Sequence, residues 1–216
     1  MNQNTEQSID FKKYIGLAIS YSWLIILLPT IGGVGAYFYS KQQPEIYQTH
    51  ATLLVEQRRA GYSAGVSDYG ISSQLAKTYA RLITAGPFLQ KVSERENLER
   101  LGQISTRTQE NPPLLEIHIR DTNPNLVAKS ANAIALNFID HVIEQRLTEI
   151  AKLQAAASAQ GITDIQSLVT AQFTALDSLT LLEPVSAPTS PIAPDIQQNV
   201  TFGVMLGLAF AIALAF

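Results

Sequence analysis

Residues 183–216 read EPVSAPTSPIAPDIQQNVTFGVMLGLAFAIALAF. Pro184, Pro188, Pro191 and Pro194 each fix φ and remove a backbone donor, so no helix runs through them and an extended, polyproline-like arm over 184–199 is expected. From Val200 to Phe216 the chain is apolar and carries no charge. That run has the minimum length for a membrane-spanning helix. A matching hydrophobic stretch lies near the other end of the chain, so everything between the two is expected to be a domain held at a membrane at both ends.

Met1 to Asp10 is polar, Lys12 and Lys13 follow, and Tyr14 to Ser40 is uncharged. The core of this run, Ile15 to Tyr39, can cross a bilayer with some tilt. A cleaved signal peptide also has a basic front and an apolar core. This core is longer, however, and Tyr37, Phe38 and Tyr39 stand where small residues would precede a cleavage site. Those aromatics suit a membrane interface. The resulting division is a cytoplasmic N-terminus at 1–13, a first membrane helix at 14–39, a domain at 40–183, the arm at 184–199 and a second membrane helix at 200–216. Lys12 and Lys13 outweigh Lys41, which places both termini in the cytoplasm and the domain outside. The second helix has no closing Lys or Arg before Phe216; either its cytoplasmic tail is minimal or the chain is a fragment. Small residues recur at helical spacing in both segments: Gly32 with Ala36, and Gly203 with Gly207. Such pairs let helix backbones approach closely.

The intervening residues read as an α/β (α+β) domain with one long helix. Tyr47 to Glu56 alternates, with Tyr47, Thr49, Ala51, Leu53 and Val55 on one side and Leu54 an exception on the other, which predicts a half-buried strand. Arg58 to Gly70, rich in Gly, Ser and Tyr, reads as a loop. A helix is expected from Ser72 with Leu75, Tyr79, Leu82 and Ile83 on one face, ended by Gly86-Pro87. A short helix follows with Phe88, Leu89, Val92 and Leu98. Ile104–Gln109 and Leu114–Arg120 predict an antiparallel strand pair. Asn123 then caps a helix with Pro124 at its first position. Its apolar face is Val127, Ala131, Ile134, Phe138 and Val142, extended by Leu147 and Ile150, and it runs to about Ala159. A capping box at Thr163–Gln166 opens a further helix with Ile165, Leu168, Val169, Phe173 and Leu176. Ser178 to Glu183 predicts a last strand.

Composition narrows the chemistry. A net charge of -3 gives no case for a nucleic-acid partner. The chain has no cysteine, so disulfides and thiolate metal sites are ruled out. His50, His118 and His141 lie apart in the sequence, and the alternation places His118 on the solvent face of its strand. Glu94, Glu96 and Glu99 with Arg95 and Arg100 read as a solvated helix face, as do Asp140, Glu144, Arg146 and Glu149. Asn199-Val200-Thr201 matches a glycosylation pattern by chance at a membrane surface. No catalytic constellation, cofactor motif or metal set is found. Arg58 and Arg59 beside Tyr62 and Tyr69 are the one place where a cation and an aromatic face suit an acidic glycan or a neighbouring subunit.

Three features, taken in order, resemble a known family. They are the N-terminal helix followed by Tyr47–Val55; Ile117-His118-Ile119-Arg120-Asp121-Thr122-Asn123-Pro124 running into Ala128, Ala131, Asn132, Ala135 and Phe138; and Pro188, Ser190-Pro191 and Pro194 abutting the last helix. The combination resembles the Wzz-type polysaccharide chain-length determinants, or co-polymerases, and especially the short membrane adaptors partnered with bacterial tyrosine kinases. The resemblance implies a protein of the bacterial inner membrane that forms homo-oligomers. It also implies control of polymer length, with a polysaccharide polymerase, its lipid-linked polysaccharide and, in one branch, a cytoplasmic tyrosine kinase as partners. Two alternatives stand beside length control, a kinase adaptor and a membrane tether or sensor. No GxxxxGK[ST] loop occurs, so a fused kinase is not expected.

Overall fold

The computed structural model describes residues 21–57, 66–159 and 177–215, which form nine elements. These are α1 (Ser22–Gln42), β1 (Tyr47–Gln57), α2 (Val66–Ile83), α3 (Gly86–Arg95), β2 (Gln103–Gln109), β3 (Leu114–Asp121), α4 (Pro124–Ala159), β4 (Asp177–Leu181) and α5 (Ile196–Ala215). They divide into two compact units, one containing α1 and α5 and the other spanning Ile46–Pro191.

The larger unit is a four-stranded antiparallel sheet in the order β2-β3-β1-β4. Side chains alternate along each strand. Ala51, Leu53 and Val55 of β1 and Leu115, Ile117 and Ile119 of β3 share one face and are fully buried. The register pairs Ala51 with Ile117 and Leu53 with Leu115, so the two apolar rows meet. Helices α2 and α4 pack on this face, and the core fills with Ala76, Tyr79, Ile83, Val92, Val127, Ala131, Ile134 and Phe138. Phe138 lies at its centre. Tyr79 and Phe88 meet its ring edge-to-face, at 5.3 and 5.5 Å between centroids, a geometry worth about 0.5–1.5 kcal/mol per pair beyond burial.

The start of α4 follows the capping rule. Asn123 Oδ1 accepts from the backbone N–H of Asn125 at 3.0 Å and of Leu126 at 3.2 Å, satisfying two donors that a helix start otherwise leaves unpaired. At the far end of α4, Ile150 is buried while Leu147 stays half-exposed, so the expected apolar face does not continue intact. The expected capping box at 163–166 and the helix it opens fall outside the described residues.

Several expectations are corrected. The stretch 66–70, expected as loop, already belongs to α2; Arg58, Arg59 and Tyr62 lie outside the described residues. Gly86-Pro87 does end α2, but it also opens α3, with Pro87 in the first turn, where its missing N–H is harmless. Leu82 is exposed, and Ala76 takes the buried place on that face. The last strand stops at Leu181. Of Asp195–Asn199, expected as part of the arm, Ile196–Asn199 belongs to α5, and Asp195 precedes it, its Oδ1 accepting from Gln198 N at 3.0 Å.

In the smaller unit α1 and α5 run antiparallel, and each is long and apolar enough to cross a membrane. Their outward surfaces carry Trp23, Ile26, Ile31, Phe38, Met205, Leu206, Phe210 and Leu214, all strongly exposed. An apolar exterior of this kind suits lipid and is rare on a soluble monomer.

Candidate functional site

The helix pair brings its glycines together. A methyl group built on Gly32 would collide with the carbonyl oxygen of Gly203, and one on Gly203 would meet Ala36 Cβ at 2.7 Å. One on Gly207 would fall 2.7 Å from Pro29 Cα. Only a missing side chain permits this approach. Toward one end of the pair, Asn199 Nδ2 donates to the Oγ of fully buried Ser40 at 2.9 Å. The pattern Asn199-Val200-Thr201 therefore lies within α5, its asparagine side chain engaged by the other helix.

In the larger unit the four prolines begin where the sheet stops. β4 pairs with β1 only from Leu53 to Gln57. One more backbone bond comes next, from Leu182 N to Thr52 O at 3.0 Å, and then Pro184 stands where the next strand donor would be. Val185 instead turns to α4. Asn132 Nδ2 donates to Val185 O at 2.7 Å, and Val185 N donates to Asn132 Oδ1 at 2.9 Å. One side-chain amide thus satisfies both backbone groups of Val185, whose side chain packs against the core. Pro184 and Pro191 are exposed, while Pro188 is partly buried. Where the arm leaves the sheet it walls a groove of about 600 Å³, lined by Thr49, His50, Thr52, Leu182, Glu183, Pro184, Val185 and Ser186.

The outer face of the sheet is polar and internally bonded. Arg120 Nε donates to Gln48 Oε1, and Gln48 Nε2 donates to His118 Nδ1 at 3.3 Å. His118 Nε2 then donates to Glu116 Oε2 at 2.9 Å. This is the tautomer that satisfies both ring nitrogens. His50, register partner of His118, stacks on its ring at 5.3 Å. His118 does occupy the outer face, but it is not a lone solvated side chain: its side chain is only 16% exposed. Sequence separation hid the cluster; the alternation of both strands together with their register would have revealed it.

The charged helix faces also do more than solvate. Arg95 reaches Asp140 at 3.4 Å, and Lys91 lies 3.9 Å from Glu144. Asn137 Nδ2 donates to Glu96 at 2.9 Å, so α3 is tied to α4. Arg146 pairs with Glu149 along α4 itself. His141 lies against the ring of Phe88 at 5.8 Å. Tyr69 belongs to α2. Among the described residues no group of three or more metal-ligating side chains is placed to hold an ion.

The family model for Wzz, chain length determinant protein, matches residues 7–96, a span that takes in α1, β1, α2 and α3. The capsular polysaccharide biosynthesis protein CpsC of Streptococcus agalactiae is 22% identical over 211 residues, covering 94% of this chain and 80% of the relative. The CpsC of a serotype Ia strain of that species aligns with the same figures. The resemblance drawn from the three sequence features is borne out.

Proposed function

We propose that this Wzz-type chain is a membrane co-polymerase: it regulates the length and export of a cell-surface polysaccharide by assembling around the polymerising machinery, without catalysing a bond change itself. The alignment with CpsC along 94% of the chain carries this reading, because it joins the N-terminal match to the segments that the family model leaves out. In the proposed arrangement α1 and α5 cross the inner membrane of a bacterium, both termini are cytoplasmic, and the sheet domain lies outside. Protomers gather through the helix pair and the domain flanks. Gly32, Ala36, Gly203 and Gly207 serve to pack the two membrane helices. A cytoplasmic tyrosine kinase is a further partner proposed from the resemblance.

The proline arm is the proposed coupling element. Asn132 fixes its beginning to the longest helix, and Pro184, Pro188, Pro191 and Pro194 stiffen the segment between the sheet and α5. A stiff spacer passes on a displacement that a Gly/Ser chain absorbs. The test is the size distribution of surface and secreted polysaccharide on a gel, with the gene deleted and then restored. A length band lost or shifted on deletion and recovered on complementation is expected. An unchanged distribution would leave a membrane tether. Replacing 186–194 by a Gly/Ser segment of equal length should alter the distribution while leaving the protein in the membrane.

A further inference from the structure

We infer that the outer face of the sheet, together with the groove at its β1 edge, is a direct contact site for the glycan, bound through its hydroxyl groups. This rests on the reading above for the presence of a polysaccharide and goes beyond it in naming where the polymer touches the protein. Four side chains form one hydrogen-bonded chain across two strands, Arg120–Gln48–His118–Glu116, and the His50 ring is stacked on it. Fixing surface side chains in this way costs rotamer entropy that a merely wetted face need not spend. Side chains held in place by one another are what a binding site requires.

His50 joins the face to the groove, which it lines with Thr49, Thr52, Glu183 and Ser186. The groove, about 600 Å³, falls in the size range of small-ligand sites, about 300–1,000 Å³. Hydroxyl, amide and imidazole groups both give and take hydrogen bonds, as sugar hydroxyls do, and carboxylates accept them. Cations are not in excess: Glu56, Glu116 and Glu183 stand with Arg120 and Arg107, the register partner of Glu116. A phosphate-rich or polyanionic ligand would instead call for converging cations. An added peptide strand is disfavoured, because the edge is already closed at Thr52 by Leu182 and the adjoining chain carries Pro184.

The test uses the full chain in detergent or nanodiscs. The probe is oligosaccharide cut from the surface polysaccharide of the producing cells. Saturation transfer from protein to sugar protons should be seen with the native chain. His50→Ala and Gln48→Ala should each weaken binding about tenfold, the effect of one or two lost hydrogen bonds. Thr52→Val is a third variant that leaves the His50–His118 stack in place and should weaken binding in the same direction. Raising salt should change the affinity little. Thermal melts and oligomer size should match the native protein. Absent binding, binding untouched by all three substitutions, or binding abolished by salt would overturn the inference. So would variants that change oligomer size alone, because the face would then lie between copies of the chain. If deletion shifts polymer length but the native chain binds no glycan, only this inference falls. If glycan binds but deletion leaves length unchanged, the co-polymerase reading falls and the contact site stands.

Discussion

Asn132 does with one side chain what a neighbouring strand would do with its backbone. It accepts from Val185 N and donates to Val185 O, so Asn132→Ala leaves two part-buried backbone groups unmatched. We expect local opening of the arm to become easier by about 1–3 kcal/mol, read as faster hydrogen exchange at the Val185 amide with unchanged exchange at Leu53 and Ile117. Slow exchange at Val185 in the variant would mean that packing alone holds the arm. Asn132 was invisible as a partner in the sequence because it reads as one more polar helix position, and Val185 lies 53 residues away. Asn123 was legible, since Asn-Pro before an apolar periodic run specifies a helix start by local chemistry alone. Asn123→Ala should cost about 1 kcal/mol, read as a lower denaturation midpoint. At the surface, Lys77 bonds Glu110 at 2.8 Å, and this bond and the charge behind it hold the Glu110 carboxyl below its ordinary value. The small stabilisation is present above the ordinary carboxylate range and lost as pH falls through the lowered value. Titrating Glu110 by NMR should show its midpoint rise in Lys77→Ala.

Among the elements, strands were the easiest to read and helix boundaries the hardest. Apart from Leu54 and Leu114, β1 and β3 alternate, and one residue of slip would have turned every buried side chain outward. The start of α2 was hidden because 66–70 carries Ser67 and Gly70, residues that favour loops in isolation; packing of the rest of α2 on the sheet overrides that preference. α4 spans 36 residues, or about 54 Å, whereas β1 has 11 residues and reaches about 36 Å. Its first half therefore carries the core, and Phe138→Ala should cost about 3–5 kcal/mol in unfolding experiments. For the α1–α5 pair the proposed packing role of the glycines can be read chemically. The chain has no cysteine, so Ser40→Cys with Asn199→Cys supplies a clean crosslinking pair. Oxidation should join the helices within one chain, and adding Gly203→Val should abolish the crosslink. An undiminished crosslink would remove the proposed role.

At the scale of the whole chain, the mixed helix and sheet character and the two apolar end helices were legible because composition and periodicity are local properties. The cluster on the sheet face was not, because it exists only once β1 and β3 are in register: His50 and His118 are 68 positions apart in the chain yet directly opposed. The same register has a consequence for crowding. β4 is only 5 residues long, and the chain beyond it soon meets Pro184 and the pull of Asn132. Proteins confined to a membrane meet one another at high local density, and a long free strand edge there would invite sheet-to-sheet growth without limit. A strand this short, halted by a residue with no N–H, gives a neighbour little backbone to copy. At that edge an encounter between two chains is then decided by side chains, which can fix an angle, and not by a backbone ladder that has no reason to stop.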